Sequence, residues 1–186
     1  MKSFLPDESR SLKTLITQDR LQQRVSELGA EISGAYGEKD LIIVAMLKGS
    51  FIFAADLMRA LTITVKIDFM SISSYAGQTG SGVVRITKDI EESITDRDVL
   101  LVEDIIDTGL TASYLMRVLR QRSPASISLC ALLDKSARRI IDLPVDYRGF
   151  DVPDTFVVGY GMDYQQRYRN LPFIATLRAP ERGEQK

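Results

Sequence analysis

The segment Val99-Leu-Leu-Val-Glu103-Asp104-Ile-Ile-Asp107-Thr108-Gly109-Leu-Thr111 joins a continuous apolar run to three acids and a turn of small, hydroxylated residues. The apolar run is partly β-branched and ends near Asp-Thr-Gly, a pattern that predicts a strand buried on both faces of a parallel sheet. The residues that follow, 110–121, have the composition of a helix. The segment therefore predicts a strand, a tight turn and a helix, the repeating unit of α/β proteins.

This arrangement predicts a ligand site at the carboxyl end of the strand. Open α/β sheets bind their ligands there, and a helix N-terminus offers unpaired backbone N–H groups to an anion. The N–H groups of residues 108–111 and the hydroxyls of Thr108 and Thr111 suit a phosphate, whereas Glu103 and Asp104 suit sugar hydroxyls or a metal ion. A sugar phosphate satisfies both sets of groups at once.

The whole-chain composition is that of an ordinary globular protein with one domain. The chain has 186 residues, of which 45% are hydrophobic and 26% are charged. The net charge of −1 and the pI near 5.6 give no general attraction to nucleic acid or to anionic membranes, so neither is expected as a partner. The N-terminus lacks an apolar signal region and no stretch is apolar enough to span a bilayer, which predicts a cytoplasmic protein.

Two residue types constrain the chemistry. Histidine is absent, so acid–base catalysis falls to Asp, Glu, Lys or Tyr, and any metal site has oxygen ligands that favour magnesium or a similar hard cation. The single cysteine, Cys130, lies in an apolar run and is predicted to be a buried structural thiol rather than a nucleophile.

Strand and helix candidates alternate along the rest of the chain. A strand at residues 12–16 precedes a helix that Thr17 can cap and that Gly34 and Gly37 are predicted to end. A stretch rich in glycine and hydroxyl groups, residues 73–82, predicts a long mobile loop. The other strand candidates are residues 40–47, 62–72, 83–87, 125–133, 156–158 and 173–177 and the vicinity of Tyr147, and the other helix candidate is residues 50–61. The alternation predicts a mainly parallel sheet, and no repeat or linker divides it.

Other interpretations of the acidic cluster fit less well. A single acid at a strand end is most often solvated or caps a helix, but three acids around a Thr-Gly turn favour a functional site. Asp107-Thr108-Gly109 is also the triplet of aspartic proteases, which need an all-β setting and a second copy. Phosphohydrolases with an aspartyl nucleophile need two acids two positions apart, whereas Asp104 and Asp107 are three apart.

The segment resembles the phosphoribosyl-pyrophosphate motif of type I phosphoribosyltransferases, in which hydrophobic residues precede two acids, two further hydrophobic residues and Asp-Thr-Gly. In its form Glu-Asp-Ile-Ile-Asp-Thr-Gly it is similar to the hypoxanthine-guanine branch. The resemblance implies that Glu103 and Asp104 bind the ribose and a magnesium ion, and that Asp107 lies near purine N7 as the catalytic acid–base group. It also implies that the 5′-phosphate is bound by Asp107, Thr108, Gly109, Leu110 and Thr111.

Two further turns carry the resemblance. Lys48-Gly49-Ser50 follows an apolar strand and is similar to the family's pyrophosphate-binding turn, with Ser50 in place of a second glycine seen in some members. Taken alone, it is an ordinary turn with a solvated lysine. Ser74-Tyr75 alone indicates only a surface loop, but in the family such a pair opens a loop that closes over the reacting centre.

Lys135 follows an apolar strand, and by resemblance it donates to the 6-oxo group of a purine, although most lysines are merely solvated. Asp134 before it occupies a position that is often apolar in relatives. The segment Asp154-Thr-Phe-Val-Val-Gly-Tyr-Gly-Met-Asp-Tyr-Gln-Gln-Arg-Tyr-Arg-Asn-Leu-Pro172 is the second strong match, although Phe-Val-Val alone is also typical of a core strand. It implies that Phe156 stacks on the base, main-chain groups of Val157 meet its pyrimidine edge, Asp163 holds a second magnesium ion and Arg169 binds pyrophosphate.

Together these features predict an α/β protein with the type I phosphoribosyltransferase fold. The expected architecture is a central, mainly parallel sheet flanked by helices, with a core at about residues 35–150. A small hood is expected from about residues 1–17 and 150–186, and a mobile loop near residues 73–84.

The implied reaction belongs to purine salvage. It transfers the 5-phosphoribosyl group from phosphoribosyl pyrophosphate to N9 of hypoxanthine or guanine with Mg²⁺, giving IMP or GMP and pyrophosphate. Relatives are usually dimers or tetramers, so a homodimer or homotetramer is expected. The competing class is an RNA-binding regulator on the same fold, which would need a basic face that includes Arg138 and Arg139. The preference between hypoxanthine and guanine stays open.

Overall fold

The computed structural model describes residues 12–75 and 83–177, which form two β-sheets and three α-helices. The strands are β1 (Leu12–Ile16), β2 (Leu41–Leu47), β3 (Val65–Tyr75), β4 (Val83–Lys88), β5 (Asp98–Ile106), β6 (Ser126–Asp134), β7 (Tyr147–Asp151), β8 (Val157–Val158) and β9 (Ile174–Leu177). The helices are α1 (Gln18–Tyr36), α2 (Phe51–Ala60) and α3 (Leu110–Arg120), and a 3₁₀ turn, Ser136–Arg138, follows β6. None of the helices in these residues is long and apolar enough to cross a bilayer.

The larger sheet has the strand order β4-β3-β2-β5-β6-β7 and is parallel except for β4, which pairs antiparallel with β3. Its strand β5 is fully buried at residues 99–102. Leu100 and Val102 belong to the core formed with α1 and α2, whereas Val99 and Leu101 belong to the core formed with α3. Because helices cover both faces of the sheet, residues 99–102 form an unbroken apolar run. The predicted α/β fold is confirmed.

The smaller sheet is antiparallel and has the order β1-β9-β8. It joins the beginning and the end of the described chain, because Leu12 pairs with Leu177. Its own small core contains Val158 and Ala175, both fully buried. Two strands of this sheet thus depend on pairing with a segment more than a hundred residues away.

A side-chain hydrogen bond connects the segment after β8 to helix α2. The hydroxyl of Tyr160 donates to Asp56 on α2. Burial raises the pKa of Tyr160, and the neighbouring Asp56 raises it further, so the phenol stays protonated and remains a donor. This bond fixes the smaller sheet's segment against the larger unit.

The prediction that Gly34 helps to end the first helix is wrong. Helix α1 begins after Thr17, whose side chain accepts a hydrogen bond from the backbone N–H of Arg20, and it runs through Gly34 to Tyr36. Tyr36 is buried, so packing of the last turn outweighs the roughly 1 kcal/mol that a glycine costs inside a helix. Gly37 ends the helix with φ of 55°, a left-handed value that glycine adopts without strain.

The third strand ends later than predicted. Strand β3 begins at Val65 and continues to Tyr75, so Ser74 and Tyr75 are its last residues and not the first residues of a loop. Backbone pairing of residues 71–75 with β4 explains the extension, since the ladder outweighs the weak strand preference of two serines. Residues 83–84, which the predicted mobile loop also included, begin β4, and residues 76–82 lie outside the described residues.

Candidate active site

The carboxyl ends of β2, β5 and β6 meet at a cavity of about 340 Å³. Because these strands are parallel neighbours, residues from distant parts of the chain come together there. The cavity is lined by Lys48, Gly49, Asp104, Ile105, Asp107, Lys135, Phe156, Val157, Met162, Asp163 and Arg169. All but Ile105 and Met162 are residues that the sequence singled out.

A second cavity, of about 230 Å³, adjoins the first at the start of α3. It is lined by residues 103–109 with Thr111 and Ala112. Asp104, Ile105 and Asp107 line both cavities, so the two cavities are direct neighbours. Leu110, which was predicted with this group, has an exposed side chain and is not among the lining residues, and its backbone N–H donates to Oγ1 of Thr108 at 3.4 Å.

The turn before α3 has the geometry of an anion cradle. Gly109 precedes the helix with φ of 83°, in the left-handed region that glycine tolerates. The first turn of α3 contains no acid, whereas Arg117 and Arg120 lie in its last turn. The positive end of the helix dipole at Gly109 is therefore not offset by a carboxylate within that turn.

Glu103 and Asp104 are carboxylates held deep in the protein, with Asp104 partly open to the cavity. Burial raises the pKa of Glu103 well above its usual value, and the charge on Asp104 adds to this. Burial likewise raises the pKa of Asp104 to about 6, although backbone N–H groups and Arg169 oppose the shift. Such carboxylates favour a bound cation or hydroxyl donors, which offset the cost of their burial.

Asp107 begins a chain of alternating charges that ends at Lys135. Its Oδ1 lies 3.1 Å from Nε of Arg138, in an ionic contact, since that oxygen has no hydrogen-bond partner in the described residues. Arg138 Nη1 also lies 3.0 Å from Asp154 Oδ1, and the same carboxylate lies 3.5 Å from Lys135 Nζ. No local pattern connects residues so far apart, so the sequence predicts no site role for Asp154 and suggests Arg138 only as part of an RNA-binding face.

Gly49 is wedged between two other parts of the chain. A Cβ atom at Gly49 would overlap the carboxylate of Asp104, and a Cβ atom at Gly161 would overlap the carbonyl oxygen of Gly49. Only glycine fits at these two contacts. Ser50 next to it is fully buried and donates to the carbonyl of Met46 at 2.6 Å, so its hydroxyl is engaged away from the cavity.

An exposed aromatic ring marks the other side of the larger cavity. Phe156 is 52% exposed and meets Tyr164 edge to face, with ring centroids 5.7 Å apart. Lys135 is buried beside it in the cavity wall, and Val157 is buried too. Val158 is fully buried in the small core, so it is a structural residue. An open ring next to a buried cation suits a flat ligand that carries an acceptor.

Arg169 and Asp163 form an ion pair at the cavity. Arg169 Nη2 lies 2.6 Å from Asp163 Oδ1, and Nη1 donates to the carbonyl of Gly161 at 2.7 Å. The three predicted metal ligands are therefore spread around the two cavities. In the described part of the chain, no three Asp, Glu or Cys side chains converge closely enough to hold a metal ion by themselves.

Three remaining predictions concern residues that are not among the lining residues of the two cavities. Ser74 and Tyr75 belong to β3, and their side chains are outside the description, so their role in a lid stays a prediction. Arg138 and Arg139 face carboxylates, and Arg139 lies 2.6 Å from Asp134. Cys130 is buried as predicted, and burial raises the pKa of its thiol.

Known proteins resemble this chain over most of its length. A family model described as a phosphoribosyl transferase domain matches residues 12–165. The chain is 47% identical over 167 residues to a hypoxanthine-guanine phosphoribosyltransferase of Bacillus subtilis, covering 89% of this chain and 93% of the relative. It is 45% identical over 170 residues to a hypoxanthine phosphoribosyltransferase of Escherichia coli, covering 90% and 96%.

Solved structures show the same likeness. A hypoxanthine-guanine phosphoribosyltransferase from Bacillus anthracis superposes with a TM-score of 0.85 at 47% identity, covering 89% of this chain and 99% of that one. A hypoxanthine phosphoribosyltransferase from Staphylococcus aureus has a TM-score of 0.85 at 44% identity, covering 89% and 91%.

Proposed function

The chain belongs to the phosphoribosyl transferase domain family, and on that premise we propose that it transfers the 5-phosphoribosyl group from phosphoribosyl pyrophosphate to N9 of hypoxanthine or guanine. The products are IMP or GMP and pyrophosphate, which makes the reaction one of purine salvage. The observation that supports this most is the shared lining of the two cavities. Asp104 and Asp107 belong both to the cavity at α3 and to the cavity that Lys135 and Phe156 line.

We assign the sugar phosphate to the acidic side of the site. The backbone N–H groups of residues 108–111 and the hydroxyls of Thr108 and Thr111 bind the 5′-phosphate at the positive end of α3. Glu103 and Asp104 accept hydrogen bonds from the ribose hydroxyls. The pyrophosphate lies on the opposite wall of the larger cavity, where Lys48, the N–H of Gly49 and Arg169 provide positive charge and donors.

We assign a magnesium ion to the acidic side of the site, next to Glu103 and Asp104. Glu103 and Asp104 have raised pKa values and no ion-pair partner among the described residues, which is the donor chemistry that a hard cation favours. Because the described residues do not complete a coordination shell, the other ligands would come from the substrate. When bound, the ion neutralises charge on the leaving pyrophosphate. Asp163 takes part in holding a second ion.

We assign the purine to the side of the aromatic ring. Phe156 stacks on the base, main-chain groups of Val157 meet its pyrimidine edge, and Lys135 donates to the 6-oxo oxygen. Adenine carries an amino donor at that position and would face a cation, so 6-oxopurines are the expected substrates. Lys135 reaches the base by exchanging its contact with Asp154, 3.5 Å away, for the purine oxygen.

Asp107 is the acid–base group in this proposal. With no histidine in the chain, a carboxylate between sugar phosphate and purine is the group best located to accept the N7 proton as N9 attacks the anomeric carbon. One of its oxygens contacts Arg138, and the other remains for the purine. The bond from the anomeric carbon to pyrophosphate breaks, and the bond to N9 forms.

We also assign roles to the segments that surround the site. The smaller sheet and the segment after β8 act as a hood over the purine, and Ser74 and Tyr75 take part in closing the site over the reacting centre. A homodimer or homotetramer in the cytoplasm is expected from the family. Arg138 and Arg139, the two residues considered for an RNA-binding face, both contact carboxylates, which speaks against that role.

The test is product formation from phosphoribosyl pyrophosphate and magnesium with hypoxanthine, guanine, xanthine or adenine, each offered separately. We expect IMP or GMP from the first two bases and no AMP. Activity with adenine alone would contradict the roles of Lys135 and Phe156. Retention of RNA by the protein together with no transfer would favour the regulator class instead.

A further inference from the structure

A buried ion pair lies directly behind the site. Asp134 is the last residue of β6 and is 2% exposed, and Arg139 Nη2 lies 2.6 Å from its Oδ1. Arg148 on β7 approaches the other oxygen at 3.4 Å but is itself 46% exposed. Asp134 is followed by Lys135, the residue proposed to bind the purine. The carboxylate is therefore anchored at the end of the strand that carries the purine side of the site.

Arg139 extends from that carboxylate to the phosphate loop, which we define as residues 107–111. Its Nη1 donates to the carbonyl of Leu143, and its Cδ lies 3.2 Å from the point where a Cβ atom at Gly109 would stand. The aliphatic part of the Arg139 side chain therefore packs against Gly109, which lies at the N-terminus of α3. A side chain in that contact limits how far the loop can shift.

Backbone hydrogen bonds reinforce this connection. The carbonyl of Thr108 accepts from the N–H groups of Ile140 (3.0 Å) and Ile141 (3.4 Å), which directly follow Arg139. At the other end, the N–H of Lys135 donates to the carbonyl of Ile106 at 2.9 Å. The segment from Lys135 to Ile141 thus begins at the residue proposed to bind the purine and ends under the phosphate loop.

We infer that Arg139, held by Asp134, is a positioning residue that keeps the phosphate loop at a fixed distance from Lys135. This inference rests on the proposed function, which places the 5′-phosphate at residues 107–111. The ion pair touches neither substrate. It acts through Gly109 and Thr108 on one side and through the end of β6 on the other.

Stability alone does not account for charged residues at this place. A buried ion pair seldom stabilises a fold more than well-packed apolar residues of the same size. Moreover, Nε of Arg139 is buried without a hydrogen-bond partner in the described residues, which adds an unsatisfied donor. A guanidinium has a use that an apolar side chain lacks, because its fork fixes the directions to Asp134 and Leu143 together.

The test separates positioning from support of the fold. The single variant Arg139→Met leaves Asp134 buried without its closest partner, so it is expected to lower thermal stability as well as activity. The double variant Asp134→Leu/Arg139→Met removes both charges and is expected to recover most of the stability. Arg148→Met is the matched control, since it also removes an arginine from Asp134 but touches no part of the phosphate loop among the contacts described.

In the double variant we expect the KM for phosphoribosyl pyrophosphate to rise about tenfold or more, whereas the KM for hypoxanthine changes less than about threefold. Hydrogen exchange of the amides at 108–113 is expected to be faster than in the wild type, with exchange in β2 unchanged. Arg148→Met is expected to alter neither readout. Arg139→Lys, which keeps the charge without the fork, is expected to fall between the double variant and the wild type.

A stable double variant with wild-type KM for phosphoribosyl pyrophosphate and wild-type exchange at 108–113 would overturn the inference. The hydrogen-exchange readout does not depend on catalysis. If the wild type formed no product, the proposed function would fail, and the exchange of the phosphate loop would still decide whether Arg139 holds it.

Discussion

The two sides of the site differ in how their charges are balanced. The sugar-phosphate side is defined here as residues 103–111, and the purine side as Lys135 with residues 154–169. On the first, Glu103 and Asp104 are deep carboxylates with raised pKa values and no ion-pair partner in the described chain. On the second, the charged groups that line the cavity have partners: Lys135 contacts Asp154, and Asp163 contacts Arg169.

This difference predicts how each side responds to ligands. Where buried carboxylates are unpaired, binding of a cation or of hydroxyl donors stabilises the folded protein, because it offsets the cost of burying the charge. A paired group must first give up its partner before it binds a ligand. The contact with Lys135 is therefore expected to make the site selective among purines without adding much binding affinity. Asp107 lies at the boundary between the two sides, where its contact with Arg138 connects it to the paired network.

Removing the carboxylate at the boundary should have the largest effect. We expect Asp107→Asn to lower kcat by about 10²- to 10⁴-fold, because an amide cannot accept the N7 proton. The KM for phosphoribosyl pyrophosphate is expected to change only slightly. Steady-state kinetics with both substrates varied would measure this. Asp151→Asn, an exposed acid paired with Ser136 outside the cavities, is the control, and near-normal turnover of Asp107→Asn would remove Asp107 from the chemistry.

The second prediction disturbs the contact between the acids and the pyrophosphate turn. A methyl group at Gly49 would overlap the carboxylate of Asp104, so Gly49→Ala is expected to lower kcat/KM for phosphoribosyl pyrophosphate about a hundredfold. Gly34→Ala is the matched control, because nothing lies within 4 Å of the new Cβ atom. It should slightly stabilise α1 and leave kinetics unchanged. Equal kinetics in the two variants would mean that this contact does not position the acids.

The unpaired acids should also give the metal-free protein a characteristic pH dependence. Burial raises the pKa of Asp104 from 3.8 to about 6, so between these pH values the folded protein holds a proton that the unfolded chain has lost. The stability that Asp104 contributes is therefore complete below about pH 4 and is lost as the pH rises through about 6. In EDTA, we expect Asp104→Asn to raise the free energy of unfolding at pH 7 by about 2 kcal/mol. The gain should shrink toward pH 4.

Denaturant unfolding of both proteins at several pH values would measure that gain. Asp163→Asn serves as the comparison from the purine side: it removes an acid paired with Arg169, so no gain at pH 7 is expected. A gain for Asp104→Asn that is independent of pH would contradict the account of the unpaired acids.

The smallest expected effect concerns the exposed ring. Phe156→Leu is expected to raise the KM for hypoxanthine about tenfold through lost stacking, with little change in melting temperature because the ring is half exposed. Val158→Ala, in the small core, should show the reverse: a lower melting temperature and an unchanged KM. If Phe156→Leu lowered stability and left KM alone, the ring would be a packing residue.

The sequence supports predictions for the two sides to different extents. The sugar-phosphate side is contiguous, so hydrophobic periodicity and turn chemistry predicted its strand, its turn and its helix. The purine side is assembled from the end of β6, β8 and the segment after it, and its residues came from the family resemblance. The contacts of Arg138 with Asp107 and of Gly161 with Gly49 depend on tertiary packing, which no local pattern encodes.

Two local errors have the same origin. Gly34 was expected to stop a helix, but burial of the following turn carries α1 to Tyr36. Ser74 and Tyr75 were expected to open a loop, but pairing with β4 keeps them in β3. In both cases a weak local preference was overridden by contacts with residues elsewhere in the chain.

The most direct test of the central claim, that the two sides form one transfer site, is to follow both products by ³¹P NMR. With phosphoribosyl pyrophosphate, magnesium and hypoxanthine, the account predicts that IMP and pyrophosphate appear in equal amounts, and that no pyrophosphate is released when the purine is omitted. Pyrophosphate release at the same rate without a purine, or no IMP with it, would contradict the account.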